Sequence, residues 1–157
     1  TLSFAEKKLQ TNEPVIHRLS NLEKDLIADI NSDLFVYTEH IEKLEIRLAL
    51  ATLKRLWSRG NAYFEDSAPW QTIKTDRQRT ETVIAVSISL IAFYARISSP
   101  VIPETSDKLL RALRIEDTSW PSEFRPENIS FDNPGILFGK IDDKQVEVWK
   151  KRWPVPS

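Results

Sequence analysis

Apolar residues recur at helical spacing along most of this chain, and prolines stand where the spacing lapses. Leu22, Leu26, Ile30 and Leu34 lie four apart, which predicts a helix with one buried face. Ser20-Asn21-Leu22-Glu23 ahead of them has the form of a capping box, in which the Ser and Glu side chains satisfy each other's free backbone N–H groups. From His40 to about Phe64 runs the longest periodic segment. It sets Ile41, Leu44, Leu48 and Ala51 on one side and Ile46, Leu53, Trp57 and Phe64 on another. A helix apolar over most of its circumference is expected at the centre of a bundle. Its narrow polar sector holds Lys43, Arg47, Lys54, Ser58 and Asn61, and is either a solvated face or a track for phosphates.

The Asp76 region starts the next helix, which runs to about Ser99. Its Val83–Ile91 portion alternates like a strand, but more than 20 residues without Gly or Pro favour a buried helix. Pro103-Glu104 opens a short helix packed through Leu109, Leu110 and Leu113, with Pro in the first turn and an acid near the positive end. Thr1 to Gln10 reads as the end of a helix with no cap of its own. Pro121, Pro126 and Pro134 interrupt an aperiodic stretch that carries Trp120, Phe124 and Phe131, so this connection should lie against the helices. Ile136 to Ile141 is a short extended piece. Asp142 with Gln145 caps a last helix bearing Val146, Trp149 and Trp153 on one face, and Lys150-Lys151-Arg152 suits its C-terminal dipole. The reading is all-α: a bundle of about five helices over 1–113, an irregular aromatic linker over 114–135, and a segment over 136–157 whose extended piece and helix pack back on the bundle.

Gly60 to Trp70 sits where two long helical segments meet. Pro69 lacks a donor and pushes Ala68 towards an extended conformation, so the chain should leave its helix before Ala68 and present Trp70 from a bend. A Trp so placed is either a core plug or an exposed platform for a base.

Composition narrows the chemistry. The 157 residues are 41% hydrophobic, enough for one domain with a real core. The 22 basic residues stand against 23 acidic ones, so nucleic-acid binding would be local. With no Cys, disulfides, thiol catalysis and Cys-ligated zinc are excluded, and His17 and His40 alone make a poor transition-metal set. The apolar run from Val83 to Ile97 contains Ser87, Ser89 and Arg96, too short and too polar to span a bilayer. A cytoplasmic chain with no membrane partner is expected. Glu65-Asp66 and Asp142-Asp143 are sequence neighbours whose side chains do not face each other, and no Ser has a His base beside it, so no catalytic group emerges. On these grounds the chain is a helical binding or interaction module.

Asn61-Ala62-Tyr63 followed by Ala68-Pro69-Trp70 and Lys74 resembles a signature of the anticodon-binding domain of methionyl-tRNA synthetases, a class I family. Ser99-Pro100-Val101-Ile102-Pro103-Glu104-Thr105 resembles that family's turn into its fifth helix, and Leu137-Phe138-Gly139-Lys140-Ile141-Asp142 a segment near its end. Order and separation agree, and the resemblance covers nearly all of the chain.

The resemblance implies recognition of the CAU anticodon of tRNA(Met), within an enzyme that attaches methionine to that tRNA using ATP. Trp70 matches the residue that stacks on an unstacked anticodon base, and Asn61 lies near that site, as a base-edge contact or a cap for the turn. Lys43, Arg47 and Lys54 are candidates for backbone contact that the family pattern does not dictate. The family also reads the anticodon with an Asn and an Arg on its first helix. Thr1-Leu2-Ser3-Phe4 resembles the residues just after that Arg, so the chain is expected to be a fragment with its first helix truncated. The His-Ile-Gly-His and Lys-Met-Ser-Lys-Ser catalytic signatures are absent. ATP, Mg and any structural zinc would belong to the parent, and the expected partners are the tRNA(Met) anticodon stem-loop and the parent's catalytic domain rather than DNA. The alternative is a non-catalytic helical protein-interaction module.

Overall fold

A computed structural model describes residues 1–139 and 141–153. Among them all regular structure is helical. The elements are α1 (Leu2–Phe4), continued by a π-helical turn at Ala5–Leu9, then α2 (Asn21–Glu42), α3 (Ile46–Ser67), α4 (Pro69–Thr72), α5 (Arg77–Ser98), α6 (Pro103–Ala112) and α7 (Asp143–Arg152).

The caps fall where the sequence places them. The Ser20 N–H and hydroxyl both donate to Glu23 Oε2, at 2.8 and 2.6 Å. Asp76 Oδ1 accepts from the Arg79 N–H at 2.9 Å, and Asp142 exchanges bonds with Gln145. These contacts satisfy first-turn donors that helices otherwise leave open.

The long segment expected from His40 to Phe64 is two helices. The chain turns at Lys43-Leu44-Glu45, where Leu44 adopts a left-handed conformation with φ 57°. Ile41 therefore falls in the last turn of α2, and Leu44, Ile46, Leu48 and Ala51 are exposed instead of buried. The buried stripe of α3 is Ala49, Thr52, Leu53, Leu56 and Tyr63. The central helix is α5, buried almost continuously from Val83 to Ser98. By length and composition α5 would also cross a membrane, but 78% of its most apolar window is buried in the bundle, as befits a core helix. Its Ser hydroxyls stay satisfied: Ser87 Oγ donates to the Val83 carbonyl at 2.7 Å, and Ser89 Oγ accepts from the Glu127 N–H.

One side of α5 packs with α2 and α3 through Ile30, Leu34, Tyr37, Leu53, Leu56 and Phe93. The other side meets α1, Leu113, Ile129 and Phe131. Leu22, expected in the α2 stripe, is exposed, and Glu23 beside it is fully buried. The aromatic linker lies on the helices. Phe124 and Phe131 are buried, the Phe124 N–H donates to Asn31 Oδ1 at 2.6 Å, and the Trp120 indole donates to Thr38 Oγ1 at 3.0 Å. Its backbone groups thus find partners, which a connection held against a core requires. Asp33 clamps α2 to α3 by accepting from Arg55 and Arg59. Burial opposes its ionisation, but those two guanidiniums hold its carboxyl below the usual range. α7 buries none of its residues. Lys140, within the expected extended piece and the Leu137–Asp142 motif, and the expected terminal stretch 154–157 lie outside the described residues.

Candidate nucleic-acid interface

Tyr63 is the inner anchor of the bend. Its ring is buried on α3, and its hydroxyl donates to Glu23 Oε1 at 2.8 Å. The same oxygen accepts from Arg79 Nη2 at 2.7 Å, so one carboxylate joins the start of α2, the end of α3 and the start of α5. Burial alone would raise the Glu23 pKa, but the donors from Arg79, Ser20 and Tyr63 prevail and hold it at about 2. Burial, followed by the charge of Glu23, pushes the Tyr63 phenol up, so it stays a neutral donor.

Five residues beyond this anchor the chain reverses. Ala68 is left-handed, with φ 40° and ψ 58°, where an extended residue is expected ahead of proline. It serves at once as the end of α3 and the lead into α4, and that double duty places Pro69 at N1, where its missing donor is harmless. Pro69 turns inward and is buried. Trp70 turns outward, 49% exposed, and its ring leans on Phe64 with centroids 5.9 Å apart at 60°. Thr72 Oγ1 lies 2.8 Å from Thr80 Oγ1, which ties the short helix to α5. Trp70 thus stands half exposed on a fixed base and is not a core plug.

Asn61 is exposed one turn earlier on α3. With Phe64, Trp57, Gly60 and Tyr94 it lines a hollow of about 500 Å³ between α3 and α5. Phe64 therefore bridges the two expected reading residues: it borders the hollow with Asn61 and supports Trp70. Gly60 lets the helices close here, since an added Cβ would come within 2.8 Å of the Tyr94 ring. The Tyr94 hydroxyl donates to the Leu56 carbonyl at 2.6 Å and holds that ring in place.

The basic row divides at the turn. Arg47 and Lys54 are exposed on α3, and the spacing 47, 54, 61 sets them in line with Asn61 at intervals of about 10 Å. Lys43 lies beyond the α2 terminus and bonds Glu39 at 3.4 Å, so it does not share that helical face. Sequence reasoning passes over Phe64 as the support of Trp70 and Arg79 as the partner of Glu23. Tyr63 enters the sequence reading only as part of the motif, and nothing local to it points to a residue on α5.

Residues 14–156 match the family described as the anticodon binding domain of methionyl tRNA ligase. The chain belongs to that family. A methionine–tRNA ligase of Dinoroseobacter shibae is 33% identical over 156 residues, spanning 96% of this chain and 27% of the relative. The ligase of a Ruegeria species is 35% identical over 137 residues, 83% of the chain and 24% of the relative. This anticodon-binding domain thus spans about a quarter of the curated relatives it matches. The fold agrees with the Mycobacterium tuberculosis methionyl-tRNA synthetase in its free state, with a TM-score of 0.75 at 21% identity over 90% of this chain and 30% of that one. The same enzyme bound by methionyl-adenylate gives 0.74 at 22% identity, over 88% and 29%.

Proposed function

We propose that this chain reads the CAU anticodon of methionine tRNA as the anticodon-binding part of a cytoplasmic methionine–tRNA ligase. The observation that carries the reading is Trp70: a half-exposed indole on a bend that Ala68, Pro69 and Phe64 hold rigid, in a member of this family. Sequence-specific RNA readers favour splayed loop bases stacked on such rings. Asn61, across Phe64, supplies an amide for a base edge; among the described residues it has no hydrogen-bond partner of its own. Arg47 and Lys54, with Lys43 beyond the turn, contribute charge to the RNA backbone. Activation of methionine with ATP and Mg falls to the rest of the ligase, as does any structural zinc, and the catalytic body is this domain's other partner. Among the described residues no group of three or more His, Asp or Glu side chains could hold a metal ion.

Tryptophan fluorescence, titrated with a CAU stem-loop and with a loop of altered anticodon, tests this on the chain and on the longer ligase. Binding should favour CAU and weaken as salt rises. Trp70→Ala should lower affinity for the CAU loop about 5- to 150-fold, from the roughly 1–3 kcal/mol of one stacked base, and erase the preference. Salt-insensitive self-association with no response to RNA would instead identify a protein-interaction module.

A further inference from the structure

A second hollow, of about 520 Å³, opens where α2 and α5 both begin. Arg18, Lys24, Arg79, His17, Asn21 and Gln78 are among its walls, so its lining is rich in cations and N–H donors. One carboxylate, Asp76, shares the wall, and it and its neighbours Glu23 and Glu81 each accept from donors of the fold. Both oxygens of Glu23 accept from Ser20, Tyr63 and Arg79, and Asp76 Oδ1 accepts from the Arg79 N–H. Glu81 takes the Val15 N–H at 3.3 Å and His17 at 2.9 Å. Arg18 and Lys24 are exposed and enter no ion pair among the described residues. Arg79 Nη1 is buried and has no hydrogen-bond partner among the described residues, a costly state for a charged donor. The side chains, and not the helix ends, make this site, because Ser20 with Glu23 and Asp76 already cap the first turns.

The hollow is built onto the Trp70 bend. Trp70 leans on Phe64, whose neighbour Tyr63 bonds Glu23, and Glu23 bonds Arg79 in the hollow wall. From the other direction, Thr72 of α4 meets Thr80, the residue after Arg79. We propose that this hollow seats a backbone phosphate of the same RNA whose base stacks on Trp70. Arg18 and Lys24 supply the charge at the mouth, and the Arg79 guanidinium adds to it from the wall. The inference rests on the RNA-reading function and deepens it, since backbone contacts set register while base contacts specify.

The test is the salt dependence of stem-loop affinity for the wild type, Arg18→Ala, Lys24→Ala and the double variant. Loss of each phosphate contact should flatten the slope of log K against log salt by about 0.7–0.9. CAU and altered loops should weaken by the same factor, so the preference survives. Lys108→Ala, an exposed change on α6, should leave the slope alone. Both substituted residues are exposed, so thermal unfolding should not shift. An unchanged slope in the double variant, with Trp70→Ala still losing the preference, would overturn the phosphate seat and leave the reading at Trp70 intact. A wild type with no preference for CAU would overturn that reading and the seat with it. Inorganic phosphate that binds the hollow without competing with RNA would mark a free-anion site and overturn the proposal.

Discussion

Helices α3 and α5 are equally long, 22 residues each, and opposite in use. α5 is enclosed, with one side on α2 and α3 and the other on α1 and the linker. α3 buries one stripe, half-buries Trp57 and Phe64, and leaves Leu48 and Arg47 among others to solvent. α5 is the more apolar of the two on average, and the polar residues of each deepen the division. The difference lies in where the polar atoms can go: serines on α5 return their hydroxyls to the backbone or the linker, whereas the Lys and Arg side chains of α3 need water or an anion. The enclosed helix supplies rigidity, and the open one carries the row that ends at Asn61 and the Trp70 bend.

Four substitutions test that contrast. The largest effect is expected from Ile88→Ala on α5, fully buried, at about 2–5 kcal/mol of stability by chemical denaturation. Glu23→Gln follows. A folded carboxyl at about 2 against an ordinary 4.5 binds fewer protons than the unfolded one, so its contribution is complete above about pH 4.5 and is lost as pH falls towards 2. That contribution is about 3 kcal/mol. Glu23→Gln should therefore be less stable by about that amount at neutral pH and should lose most of the wild type's decline between pH 4.5 and 2, as followed by urea unfolding across pH. Trp70→Ala should change stability by less than about 1 kcal/mol, since much of the ring is already in water, while its effect on RNA affinity is larger. Leu48→Ala, on the open side of α3, should move stability within about 0.5 kcal/mol. A Leu48→Ala loss as large as that of Ile88→Ala would erase the distinction between the two helices.

Much of this was readable in the residues. Ser20 with Glu23, Asp76, and Asp142 with Gln145 announce their helix starts through local chemistry, and the structure places them there. The linker aromatics lie on the helices for the reason their composition suggests. What escaped reading is of two kinds. The turn at Leu44 and the reversal at Ala68 use left-handed residues that are neither Gly nor Asn, so no breaker residue marks the conformation itself. The other kind is long-range: Glu23 and Arg79 are 56 residues apart, and Asp33 meets Arg55 and Arg59 across 22 and 26. A charged residue looks like solvated surface until its partner from another helix arrives. The site was half legible for the same reason: the bend that presents Trp70 could be expected from its proline, but neither the exposure of the ring nor the buried carboxylate that braces the bend could.

Gly60 deserves a last consequence. Because no methyl stands there, the Tyr94 ring can come close against α3, where a Cβ would meet its Cε2 and hydroxyl at 2.8 Å. Gly60→Ala would act as a shim driven between the two helices. It would tilt the end of α3 carrying Asn61 and Phe64 against the α5 end that fixes α4, altering the gauge between amide and indole without touching either. The spacing between Asn61 and Trp70 thus depends on an atom that is absent.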